Sequence, residues 1–296
     1  NKFNFFKALI RIFKRYQSLP YRVIKIQESL GRIETRQIKN SSLSEAEFRV
    51  FSQFGEDGIL QFLINNLDIK NKKFVEFGVQ DYQESNTRFL LINNYWDGLI
   101  IDSSRKNIHA IKEDNISYAS NLEAVCSFIT KDNINDLLNK NKMNGDIGLL
   151  SIDIDGNDYW IWEEINAVKP IIVVIEYNSQ FGPYAKVSTP YKCDFVRATN
   201  GRHISYYGAS ISALTYLGIK KGYSLVASNS AGNNLFFVRN DFLKDLKVLA
   251  PSQAYRYAFF REAKNYQSNG YISYQNILER YKEMRNYEIF DFENSE

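Results

Sequence analysis

The 296-residue chain is 44% hydrophobic and 24% charged, enough apolar content for one large folded domain with appendages. A net charge of +3 hides an uneven distribution: residues 1–40 carry ten Lys/Arg against Glu28 and Glu34, and the remaining 256 residues are net negative. Two cysteines, Cys126 and Cys193, exclude a disulfide framework. No run approaches the roughly 18 apolar residues of a membrane span, and the opening segment is too charged for a secretory leader. The corresponding expectation is a cytoplasmic location, peripheral at the inner face of a membrane if the basic segment meets anionic lipid.

The first 48 residues read as a basic amphipathic helical arm. Phe3, Phe6, Leu9, Ile10 and Phe13 recur at helical spacing with Lys7, Arg11, Lys14 and Arg15 on the other arc, until Pro20 interrupts. A second helical stretch, "YRVIKIQESLGRIETRQIK", places Ile26, Leu30 and Ile33 at a/d-like spacing. Two uses compete: contact with an anionic membrane surface through residues 1–16, or packing on the body or on another subunit, which would make a homo-oligomer through the helical extensions.

Residues 49–242 alternate short apolar runs with helical stretches. The strand candidates are 73–79, 98–102, 123–129, 147–154 and 171–177, most of them continuous β-branched runs of the kind buried on both faces of a parallel sheet. The helix "SALTYLGIKKG" is followed by "YSLVASN" and "NLFFVRN", so close together that these two strands must run antiparallel. Five parallel strands, a helix and a terminal antiparallel hairpin predict an α/β, Rossmann-like methyltransferase fold. Its sheet would be seven-stranded and mostly parallel, with helical N- and C-terminal extensions. Residues 243–296 read as the C-terminal one, a helical lid or oligomer surface.

In such sheets ligands sit at the carboxyl ends of the strands, at the switch in strand order. Glu76 and Gly78 end the first strand, and a helix starting near Ser85 and Asn86 would offer unpaired N–H groups to a carboxylate or phosphate. The G-x-G-x-x-G of dinucleotide-binding proteins is missing. Asp102, followed by Ser103, closes the second strand 24 residues after Gly78, an interval suited to bonding ribose hydroxyls; its other reading is a helix cap. Strand four ends in "SIDIDGND". Alternation points Asp153 and Asp155 the same way, and Asp158 begins the next helix.

Parallel carboxylates need a cation or hydrogen-bond donors. With Glu176 and Asn178 at the end of strand five, Asp153 and Asp155 make a ligand set for a divalent cation such as Mg or Mn. Equally, Asp153 or Glu176 serves as a general base for a sugar hydroxyl, with His203 as a further candidate base. Tyr206, Tyr207 and Trp160 are either sugar-stacking or core residues. Three functions follow: methyl transfer, a metal-dependent sugar transferase using D-x-D, or a non-catalytic assembly and membrane-recruitment protein. The acidic site excludes nucleic acid as a partner.

The stretch "DIGLLSIDIDGNDYWIWEEINAVKPIIVVIEYN" resembles the FkbM-like methyltransferases. It is closest to a bacterial group associated with surface-polysaccharide genes, through "SQFGEDG" (52–58), "VEFGV" (75–79), "SIDIDGNDY" (151–159), "IEYN" (175–178) and "YYGAS" (206–210). The resemblance spans roughly residues 50–240, and Ser151 stands where typical FkbM-like proteins have Lys. It implies S-adenosylmethionine (SAM) bound at Glu76, Gly78 and Asp102, with Gln53 and Asn86 nearby. The implied reaction is O-methylation of a sugar hydroxyl on a polysaccharide, glycolipid or nucleotide-sugar precursor.

Overall fold

The structure is a computed structural model that describes residues 18–197, 205–259, 264–266, 272–274, 282, 284 and 286–294. Its centre is a seven-stranded sheet in the order β3-β2-β1-β4-β5-β8-β7. The strands are β1 (Lys73–Phe77), β2 (Asp97–Asp102), β3 (Leu122–Cys126), β4 (Gly145–Ile152), β5 (Val168–Glu176), β7 (Tyr223–Ser228) and β8 (Asn234–Arg239). All run parallel except β8, which pairs antiparallel with both β5 and β7. This is the expected mostly parallel Rossmann-like sheet with its terminal hairpin.

Period-two alternation sends successive side chains into two separate cores. On one face Val75, Phe77, Ile101 and Ile175 pack against α6 (Ile134–Lys140), α7 (Asp158–Glu164) and α8 (Ile211–Lys220). On the other, Phe74, Ile100, Leu149 and Val174 meet α2 (Glu56–Asn66), α3 (Arg88–Asn94) and α4 (Arg105–Glu113), which α5 (Asn115–Ala119) follows. Burial on both faces explains why the strands read as unbroken apolar runs.

The arm is helical where it is described. In α1 (Leu19–Gln37) Gly31 faces the body: a Cβ there would lie 2.4 Å from Val50 Cγ2 and 2.8 Å from Phe89 Cζ. Gln27 adds a hydrogen bond to the Val50 carbonyl at 2.7 Å, and buried Glu28 pairs with Lys25 at 2.8 Å. One face of α1 therefore belongs to the body.

The described part of the C-terminal stretch holds both helical and extended residues. After the one-turn α9 (Pro251–Ala254), β9 (Lys264–Tyr266) pairs with β10 (Ile272–Tyr274), and Lys282 and Met284 are helical. In addition, β11 (Phe290–Asp291) pairs antiparallel with β6 (Val187–Ser188). "YISY" and "FDF" alternate apolar and polar residues, which suits strands. Phe292 is buried 4.5 Å, ring to ring, from Tyr159.

The strand order reverses between β1 and β4, and these two strands end in close contact. Gly78 follows β1 with φ of +73°, and a Cβ there would lie 1.6 Å from the Asp153 carbonyl oxygen. Gly78→Ala should therefore destabilise the fold by at least about 1–2 kcal/mol from the left-handed backbone alone, with more from displacing Asp153. Urea unfolding measures this; an unchanged midpoint would show that the two strand ends are free to separate.

Candidate functional site

Four strand ends supply the site, and several of the carboxylates around it are bound by the chain's own N–H and hydroxyl groups. Before β1, the Asp57 carboxylate accepts the N–H groups of Val50, Phe51 and Ser52 at 2.7–2.8 Å and the Ser52 hydroxyl. Glu56, also buried, accepts the Phe54 N–H at 3.0 Å and bonds from Asn229 and Asn234 at 2.6 and 2.9 Å. The S-Q-F-G-E-D-G stretch is thus a knot that presents Gln53 and Phe54 above the sheet.

Glu76, at the end of β1, accepts the N–H groups of Asn86 and Thr87 and the hydroxyls of Ser85 and Thr87. The helix expected near Ser85–Asn86 starts at Arg88 with Thr87 as its cap. The anion that its approach was expected to attract is the protein's own Glu76. Asn86 is buried and donates to Ser151 Oγ at 3.1 Å. Glu76 and Asn86 line a small annex of about 100 Å³, beside Gln53 and Gly78.

Asp102 ends β2 and is buried, with Oδ2 accepting the Gln80 N–H at 2.9 Å and Oδ1 the Ser104 N–H at 2.8 Å. The cap of α4 is Ser104, whose side chain accepts the Asn107 N–H at 3.2 Å, so Asp102 is released from that role. Each Asp102 oxygen keeps further acceptor capacity, and the residue lines the main cavity next to exposed Ser103.

β4 stops at Ile152, two residues short of the expected end. Asp153 and Asp155 come together through a turn rather than by strand alternation: Asp155 has φ of +58°, a conformation Asp tolerates. Asp158 begins α7 as expected, and its carboxylate accepts the N–H groups of Ile154 and Gly156, both at 2.9 Å, closing the turn. Burial pushes the Asp158 carboxyl up to about 6.

One carboxylate oxygen from each of Asp153, Asp155 and Glu176 lies within 4.8 Å of the others. Burial, reinforced by the neighbouring acids, holds Asp153 and Glu176 well above the usual carboxylate range. Buried Glu176 Oε2 has no hydrogen-bond partner among the described residues. Asn178 does not join this group: its amide donates to the Ser205 and Tyr207 carbonyls at 2.7 and 2.9 Å, and its oxygen accepts the Gln180 N–H. His203 lies outside the described residues. Trp160, Tyr206 and Tyr207 are all buried, so their packing reading holds.

Arg197 is the residue that sequence reasoning missed. Its Nη1 lies 2.8 Å from Asp155 Oδ1, and its guanidinium sits 3.6 Å from the centre of the Tyr207 ring. It stands in irregular chain after β6, where no periodicity marks it. The Arg supplies the cation that the paired aspartates require.

Together these elements line a cavity of about 460 Å³ at the switch point. One wall holds Ile101, Asp102, Phe128 and Ile129; the other holds Asp153, Asp155, Glu176 and Arg197; Gln53, Phe54 and Gly78 lie between. Arg197 is the one cationic side chain among the described lining residues, against four carboxylates.

Fold and cavity define a Rossmann-like α/β protein with an acid-lined small-molecule pocket at the sheet's switch point. No family model and no curated protein matches the chain. Solved structures similar to it include an S-adenosylmethionine-dependent methyltransferase from Clostridium acetobutylicum at 12% identity, covering 71% of this chain and 98% of that one with a TM-score of 0.40. A putative caffeoyl-CoA O-methyltransferase from Staphylococcus aureus is similar at 16% identity, with coverages of 79% and 98% and a TM-score of 0.43. An O-methyltransferase from Bacillus cereus in complex with SAH gives 12% identity, 71% and 90% coverage and a TM-score of 0.41.

The raised Asp153 and Glu176 carboxyls bind more protons in the folded chain than in the unfolded one. The stability their neutral forms contribute is full below about pH 4, the unfolded range, and is lost as pH rises through the raised values. Glu176→Gln removes one of these acids, so at pH 8 it should stabilise the protein by about 1–3 kcal/mol, roughly 2–6 °C in midpoint, and flatten the decline. Calorimetric melts from pH 4 to 9 provide the check; a destabilised variant at pH 8 would mean that the ionised pair is already compensated.

Proposed function

We propose that the chain is a SAM-dependent O-methyltransferase acting on a sugar hydroxyl, of the kind carried by polysaccharide, glycolipid or nucleotide-sugar precursors. The observation that carries this reading is the charge of the cavity. Among the described lining residues, four carboxylates against one arginine suit a cationic nucleoside without phosphates, and disfavour dinucleotides and nucleoside diphosphates. The sequence motifs shared with FkbM-like methyltransferases point the same way and supply the sugar as acceptor.

The residues fit the cofactor. Asp102 offers acceptor capacity on both oxygens to a ribose diol, and Ile101, Phe128 and Ile129 offer apolar surface to a purine. Asp153 and Glu176 would face the sulfonium charge across the switch point. The cofactor, when bound, supplies an activated methyl group. What remains for the protein is to hold the acceptor oxygen in line and take its proton. Asp153 and Glu176, raised toward neutrality by burial, are suited to that proton, with Asp155 steadied by Arg197.

A divalent cation is the second reading of the acidic group, favoured by the 4.8 Å grouping and the unpartnered Glu176 Oε2. Mg or Mn there would polarise the hydroxyl and take over the proton's role, once Arg197 releases Asp155. Activity that falls to background with chelator and returns with Mn would establish it. The sugar-transferase reading lacks basic residues for a diphosphate among the described lining residues.

Calorimetric titration with SAM and SAH tests the cofactor assignment. Asp102→Asn should weaken both ligands about 10-fold or more, as expected for losing a charged hydrogen-bond partner. SAM should gain on SAH as pH rises and the acidic pair ionises, and Glu176→Gln should blunt that gain. Folded protein that binds neither ligand, or that binds a nucleotide sugar with Mn instead, would rule the assignment out.

A further inference from the structure

The body accounts for only one face of α1. On the opposite face Leu19, Val23, Ile26, Leu30 and Ile33 are all between 49% and 61% exposed. Their spacing is 4-3-4-3, the a/d repeat of a coiled-coil seam sustained over 15 residues, whereas Ile24, Glu28 and Gly31 fall on the helix side turned to the body. The stripe is narrow. Arg22, Gln27, Ser29, Glu34 and Arg36 flank it, so the apolar arc is too thin for a helix lying in a lipid interface and has the width that a second helix covers.

We propose that this seam joins two copies of the chain in a parallel, in-register coiled coil. The pattern is self-complementary: in parallel register each layer meets its own equivalent, with Val23 and Leu30 at a and Leu19, Ile26 and Ile33 at d. β-Branched and leucine side chains at these positions interdigitate as knobs in holes. Charge selects the direction. In parallel register Arg22 flanks Gln27 of the second copy and Ser29 flanks Glu34, with no like pair. The antiparallel register that buries the same residues brings Arg22 toward Arg36 twice. Because the seam faces away from the body, a shared axis along α1 leaves Gly31, Val50 and Phe89 undisturbed. A C2 interface of this kind closes on itself and stops at two copies.

Sedimentation velocity of the full chain at micromolar concentration should give twice the 34.5 kDa chain mass. Ile26→Glu combined with Leu30→Glu should give a monomer with an unchanged circular dichroism spectrum, since both side chains are exposed. In a Cys126→Ser, Cys193→Ser background, Leu30→Cys should oxidise to a disulfide-linked dimer, because residue 30 meets itself only in parallel register. A monomeric wild type, or a dimer that survives the double Glu substitution, overturns the proposal. So does a monomeric wild type that binds phosphatidylserine vesicles and loses that binding with the double substitution. A dimer in which Leu30→Cys fails to cross-link overturns the parallel arrangement.

Discussion

The Asp153 carbonyl passes so close to Gly78 that no side chain fits between them. This contact closes the gap between β1 and β4, the two strands from which the chain departs in opposite directions across the sheet. Closing it fixes where the turn after β4 begins. It also forces Asp153 beside Asp155 and the end of β5, where Glu176 is buried. Acids brought together in this way would repel each other if all were ionised. The fold answers with three devices. Asp158 is drawn under the turn by two backbone N–H groups, Arg197 binds Asp155, and Asp153 and Glu176 keep their protons beyond the ordinary range. None of these devices removes the acidity of the cavity. They store it, as functional sites commonly do, in a form that a ligand can release.

Loops leading from a first strand into a helix are natural phosphate cradles, because their N–H groups are unpaired. Here Glu76 fills that role from within, accepting N–H groups from Asn86 and Thr87 and hydroxyls from Ser85 and Thr87. An internal carboxylate at that position both orders the loop and repels an external anion. The helix-leading loop after β1 is thus closed around the chain's own carboxylate, with Asp102 one strand away.

The sheet was legible in the sequence because strands buried on both faces leave continuous β-branched runs, and because a hairpin as tight as β7–β8 admits one orientation. Asp102 and the 153–158 aspartates were legible as strand-end residues, since their position follows from the strands. The remainder was not. Whether Glu76 faces a ligand or its own loop depends on how residues 85–87 fold back, which no periodicity encodes. The convergence of Asp153 and Asp155 was anticipated for the wrong reason: a left-handed Asp155 does what strand alternation was expected to do. Arg197 is set by irregular chain between β6 and α8, and irregular chain leaves no pattern.

Charge ties the two ends of the molecule together. Residues 1–40 are net positive and the remaining residues net negative, so the near-neutral total conceals an uneven distribution. α1 is amphipathic in two directions. Its Gly31 face is too small to accept any side chain and locks to Val50 and Phe89, while its Ile26 and Leu30 face carries no such constraint. A helix that needed only to cap the body would present polar residues outward, because exposed apolar stripes lower solubility and invite association. A heptad stripe held in place by a rigid inner face is preorganised: the entropy of ordering the helix is already spent on the body, leaving the outer face free to recognise a partner at lower cost.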